Sequence, residues 1–281
     1  MNIKGFSCNS GLLSEYEVTK AMDILVKNNY QGIEICLEPN PPFYPVPKPH
    51  MSGEDDSSYR KKVKKYAKDA GIKIPALNAH TNLIDGNPLS REVNFNFVKD
   101  ALKLASDLEV NIVITGGGAK NLYGYEDSYW SILIDKLNKL LELANKLGVI
   151  IAIEAAGLPG NLIYNANGMK KLFNKIESKN LKVLFDPSHY FIRGDDILNT
   201  FNIFKDRIVH IHAKDALGDY ENFVFPPLGD GKINFKKLCA LITDFKYDGF
   251  ISVEYESFAW GYDLTPEQVL FNSKQFLLKY L

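Results

Sequence analysis

The sequence predicts an α/β fold, a single (β/α)8 barrel over residues 1–281, on three observations. Eight short β-branched runs alternate with eight longer amphipathic segments. The units average about 35 residues, which is what a barrel strand, its helix and two connections need. The first run leads into Cys8-Asn9-Ser10-Gly11 rather than the Gly-rich phosphate loop usual in a doubly wound open sheet.

In chain order, the expected strand at 2–8 precedes a helix at 16–28, and 32–37 precedes 58–70. The pairs continue as 72–78 with 91–108, 111–115 with 128–147, and 149–154 with 166–178. The last three are 182–186 with 195–204, 208–212 with 234–245, and 250–254 with 266–280. Each helix carries apolar residues at helical spacing, as in Leu133, Leu137, Leu140, Leu141 and Ala144. Two connections exceed what the scaffold needs. The segment 38–57 holds six prolines (Pro39, Pro41, Pro42, Pro45, Pro47 and Pro49), and 214–232 follows the seventh strand. Both belong at the C-terminal mouth of a barrel, where specificity loops lie. The Pro-rich stretch reads as a stiff lid or edge, with a partner-binding motif as the alternative.

Composition narrows the function. A hydrophobic fraction of 46% is ample for a core and excludes a disordered chain. A net charge of -1 offers no global attraction to nucleic acid or to an anionic membrane. Only Arg60, Arg91, Arg193 and Arg207 could form bidentate phosphate clamps. Cys8, Cys36 and Cys239 have neither zinc-knuckle nor disulfide-framework spacing. No run approaches ~18 apolar residues, and the first residues lack a signal-peptide pattern, so a cytoplasmic protein is expected.

The chemistry gathers at the ends of the last four strands. They read Ile153-Glu154, Phe185-Asp186, Ile211-His212 and Val253-Glu254. Strand ends converge on one mouth in a barrel. Three carboxylates there repel one another unless a cation or protons intervene. Three oxygen donors and one imidazole suit a fairly hard divalent ion: Mn, Mg or Co before Zn. Lys214, two after His212, shares its face if the strand continues and can aim an ammonium at a developing oxyanion. His189, three after Asp186, is within reach of the mouth; His80, after the third strand, is either a substrate contact or a satisfied loop histidine. His210 shares the His212 face but lies deeper, as a core histidine or a substrate contact. Glu34 alternates with Ile33 and Ile35 and so points inward, where a buried carboxylate needs a partner: an ion pair or a substrate group. Phe43, Phe225 and Trp260 are candidate apolar walls. The glycines at 116–118 lack P-loop spacing, and Leu228-Gly229-Asp230-Gly231, before a helix, reads as a simple turn, with backbone N–H groups turned toward an anion as the alternative.

These residues together resemble the xylose-isomerase-like TIM barrels, in particular the sugar and sugar-phosphate isomerases and epimerases. The resemblance rests on Gly32-Ile33-Glu34, Phe185-Asp186-Pro187-Ser188-His189, His212-Ala213-Lys214-Asp215, Pro227-Leu228-Gly229-Asp230-Gly231, and the two strand-ending glutamates. It implies one divalent metal on Glu154, Asp186, His212 and Glu254. It also implies acid–base roles for Glu154 and Glu254, substrate contact by His189, a small-molecule sugar substrate and a homodimer. The related apurinic endonucleases need a His after the fourth strand and an Asp-x-His after the seventh; here stand Thr115 and a His-free 214–232. An Arg frequent in ketohexose epimerases is absent from 213–231. The expected activity is 3-epimerisation or aldose–ketose isomerisation through an enediolate. The alternatives are a dehydratase of inosose-type ketones and a non-catalytic sugar-binding protein.

Overall fold

Each barrel strand alternates between a helix-facing row and an inward row, because successive side chains leave a strand on opposite faces. A computed structural model describes residues 3–38, 48–121 and 124–281. The strands are β1 (Gly5–Asn9), β2 (Gly32–Cys36), β3 (Leu77–Asn78), β4 (Ile112–Gly116), β5 (Ile150–Glu154), β6 (Leu181–Phe185) and β7 (Ile208–Ala213). A short antiparallel pair, β8 (Leu217–Gly218) and β9 (Phe223–Val224), precedes the last barrel strand, β10 (Phe250–Val253). The parallel barrel closes in the order β1-β10-β7-β6-β5-β4-β3-β2. The (β/α)8 expectation therefore holds.

The outward residues Ile33, Ile35, Val113, Ile151, Ile153, Val183, Phe185, Ile251 and Val253 join the large core beneath the helices. Ala76, Ile114, Ala152 and Leu184 form a separate apolar cluster inside the barrel. Helix starts are set by side-chain caps. Asp56 accepts from the backbone N–H of Ser58 and Tyr59, and Thr265 with Gln268 forms a capping box at Pro266–Leu278. Gly148 ends Glu126–Leu147 in the left-handed region, at φ 69°.

Three differences from the sequence expectation have local causes. β3 is two residues long rather than seven, because Pro75 has no N–H for a ladder bond. A six-residue helix, Pro187–Ile192, follows β6 at once, capped by Asp186 with Pro187 in its first turn. The segment 214–232 is not an open loop but folds through β8 and β9. Asp215 clasps that segment: Oδ1 accepts from Ala216 and Ile233 N–H, and Oδ2 from Gly229 and Gly231 N–H at 3.0 and 3.1 Å. A Cβ at Gly231 would stand 2.0 Å from Asp215 Oδ1, so glycine alone fits. The prolines Pro39 to Pro47 and the candidate wall Phe43 lie outside the described residues. Among the described residues no helix is long and apolar enough to cross a membrane.

Candidate active site

Glu154 ends β5, Asp186 follows β6, His212 lies in β7 and Glu254 follows β10. Each offers one ligand-type atom within 4.8 Å of the others. From His212 Nδ1 the distances are 2.7 Å to Glu254 Oε2, 3.4 Å to Glu154 Oε1 and 3.8 Å to Asp186 Oδ2. Those four atoms are buried and have no hydrogen-bond partner among the described residues. Their companion oxygens are held from outside. Asp186 Oδ1 accepts from Ser188 N–H at 2.7 Å and Ser188 Oγ at 2.6 Å. Glu154 Oε2 lies 3.0 Å from His80 Nε2. One ring nitrogen and three carboxylate oxygens thus turn toward one another. This donor set fits a divalent cation with oxygen-rich coordination.

Electrostatics agree with the geometry. Burial alone would raise the Glu154 carboxyl, but the His80 charge and the close His212 ring hold it well below the usual carboxylate range. Burial alone would lower His212, but the charges of Glu34 and Glu254, with the Asp186 and Glu154 carboxylates close by, raise it well above the usual imidazole value. The protein alone therefore favours positive charge at this point.

The cavity above the cluster has a volume of about 470 Å³ and is lined by His80, His189, Lys214, Glu154 and Glu254 among others. His80 joins Glu154 to Glu38, 3.3 Å from its Nδ1, and is pushed up to about 10, these carboxylates outweighing burial. His189 Nε2 stands 3.9 Å from Asp186 Oδ2 and 4.0 Å from Glu154 Oε2. Its ring packs edge-on against Phe225. Lys214 Nζ lies 3.5 Å from Glu254 Oε1 and 3.2 Å from Glu256 Oε2, and 4.6 Å from the Phe225 ring centre. Burial works against its charge, but Glu254 and Glu256 raise its pKa and keep it an ammonium.

Two expectations need correction. Glu34 does not line this cavity; it is fully buried beneath it, paired with His210 and His212. Of its two readings, the interior ion pair is the one the geometry carries. Phe225 and Trp260 pack on each other and on Phe223, behind His189 and Lys214, rather than forming the cavity wall. Sequence reasoning missed Glu38, Glu256, Asn9, Asn82, Asn161 and Tyr255, which do line it. Glu256 had a signal: it stands two after Glu254, on the same face of an extended chain. Asn9 had none, since its partner Glu34 is 25 residues away.

A family model described as xylose isomerase-like TIM barrel matches residues 22–280. An inosose dehydratase of Lacticaseibacillus casei is 30% identical over 147 residues, covering 47% of this chain and 49% of the relative. The matched part thus spans about half the length of that relative. A fructoselysine 3-epimerase of Escherichia coli O157:H7 is 22% identical over 174 residues, 62% of each chain. Among solved structures, the IOLI protein with a binding zinc atom superposes with a TM-score of 0.77 at 18% identity, over 99% of both chains. That likeness concerns the fold.

Proposed function

This chain belongs to the xylose isomerase-like TIM barrel family, and on that premise we propose that it is a divalent-metal-dependent carbohydrate enzyme, an isomerase or 3-epimerase of a ketose. One observation carries the reading. Glu154 and Glu254 flank the site, separated by β6 and β7 in the closed sheet, and each turns an unpartnered carboxylate oxygen into the cluster. Inverting a carbon next to a carbonyl needs a base on each face, because the proton leaves one face and arrives on the other.

A divalent cation held by Glu154, Asp186, His212 and Glu254 would stabilise negative charge developing on the substrate's carbonyl oxygen. Manganese is the ion we favour, with magnesium, cobalt and zinc as alternatives; a structural neighbour carries zinc. Glu154 takes or returns the proton on one face, its Oε2 steadied by His80. Glu254 does the same on the other face, next to the Lys214 ammonium. Lys214 also brings positive charge to a developing oxyanion, and His189 presents Nε2 to a substrate hydroxyl. The cavity's charge supports an unphosphorylated sugar. Glu38, Glu154, Glu254 and Glu256 line it, and Lys214 is its one Lys or Arg among the described residues. We read residues 1–281 as one domain, its last helix tied to the first βα unit by the Tyr30 hydroxyl donating to the Leu270 carbonyl.

A second reading is a dehydratase, favoured by the 30% identity to an inosose dehydratase. There one glutamate removes the proton and an acid group protonates a departing β-hydroxyl as water. Incubation of the metal-loaded protein with ketoses and inososes in D2O separates the two. Deuterium gained without loss of water supports the isomerase or epimerase; loss of water supports the lyase. No exchange and no dehydration on either set would overturn both.

A further inference from the structure

Glu34 touches no part of the cavity, yet its carboxylate is fully enclosed by nitrogen. Oε2 lies 2.8 Å from His210 Nε2 and 3.0 Å from His212 Nε2. Oε1 lies 3.2 Å from His212 Nε2, 2.9 Å from Asn9 Nδ2 and 3.2 Å from Asn78 Nδ2. We propose that Glu34 is a positioning residue that fixes the tautomer of His212, so that Nε2 carries the proton and Nδ1 faces Glu154, Asp186 and Glu254 as a lone pair. The role rests on reading those four residues as ligands of one divalent cation.

Donor and acceptor counts fix the proton positions around Glu34. An ionised carboxylate only accepts, so every nitrogen turned toward Glu34 must donate. A neutral imidazole has one N–H and one lone pair. In the neutral ring that a cation would bind, Nε2 stays committed downward to Glu34, so the lone pair can only be on Nδ1, the atom 2.7 Å from Glu254 Oε2. The two contacts to Glu34 also resist a ring flip, which would carry Nδ1 away from the cluster. Carboxylate partners of metal-bound histidines act in this way generally. Glu34, His210 and His212 are themselves close enough to suggest a second cation site. The hydrogen bonds argue against it. A cation there would displace both histidine N–H groups and make His212 bridge two cations at once, while Oε1 is already taken by two amides.

The test uses the full chain loaded with Zn²⁺. Nitrogen-15 spectra of its histidines should show His212 protonated at Nε2 and metal-bound at Nδ1. Glu34→Gln offers an amide N–H to Nε2 and should lower Zn²⁺ affinity by ~10–100-fold by calorimetry, with a wild-type circular-dichroism spectrum. Glu34→Asp keeps the anion and should keep the tautomer with a smaller loss. A wild-type chain that binds Zn²⁺ with the His212 proton on Nδ1 overturns the role, as does a folded Glu34→Gln with wild-type affinity. If Glu34→Gln does not fold, the wild-type spectrum decides. A wild-type chain that binds no divalent cation overturns the ligand reading and this role with it.

Discussion

The barrel interior is apolar on one side and polar on the other. On the side of β4 to β6 its middle is filled by Ile114, Ala152 and Leu184, with Ala76 just before β3, all fully buried. On β7, β10, β1 and β2, which adjoin in the closed sheet, the inward residues include His210, Ser252, Ser7 and Glu34, equally buried. The apolar side gains stability from area alone, roughly 25 cal/mol per Å² removed from water. The polar side must satisfy each atom separately. Ser7 Oγ, Ser252 Oγ and His210 Nδ1 find no hydrogen-bond partner among the described residues. Stability alone would favour the apolar solution on both sides. The difference follows the direction from which each site residue is held. Glu154 and Asp186 rise from the apolar strands and are braced from outside by His80 and Ser188, whereas His212 is braced from below by Glu34. Departures from the cheapest packing mark strands that orient chemistry.

The largest expected effect lies at the rim where the two sides meet. Glu154→Gln and Glu254→Gln should each lower epimerisation by ~10²–10⁴-fold, the usual worth of a positioned base. Metal content must be matched in the assay. The mutants should differ in one respect: each should still exchange the proton of the epimer whose face keeps its base, without inverting the carbon. Near wild-type turnover in both metal-replete mutants would make the carboxylates ligands only.

Leu184→Ala breaks the apolar side. It should cost ~2–5 kcal/mol in urea unfolding through the cavity it leaves, while divalent-cation affinity stays at the wild-type value. Affinity lost without stability would erase the distinction between the two sides.

Asp215→Asn carries the contrast to the mouth. Like Glu34, Asp215 is a buried carboxylate surrounded by donors, but its donors are the backbone N–H groups of its own segment. Replacing one oxygen by NH2 sets donor against donor and should cost ~1–3 kcal/mol. Hydrogen exchange should quicken at Gly229, Gly231 and Ile233 and leave β3 to β6 unchanged. Uniform quickening through the barrel would show that the clasp is not a local device.

Periodicity and strand ends were legible in the residues. Alternation of eight runs with eight amphipathic segments is a local signal, because side-chain direction along a strand or helix depends only on near neighbours. For the same reason Glu154, Asp186, His212 and Glu254 could be named as one group: each ends an apolar run, and a barrel brings such ends together. Short elements escaped. Pro187–Ile192, with six residues, is too brief to show a period, although Asp186 before Pro187 was a capping signal.

Partnerships across the closed sheet could not be read from the chain. Glu34 meets His210 and His212 across 176 and 178 residues, and His80 meets Glu154 from β3 to β5. An inward Glu34 predicts that a partner exists, since a buried carboxylate is otherwise too costly, but not which one. That depends on β1 lying between β10 and β2, which sets Ser7 beside Ser252 on one side and Asn9 beside Glu34 on the other. Local pattern sets which face a side chain leaves; only barrel closure brings faces from distant strands into contact, and that contact turns an inward carboxylate into the anchor of His212.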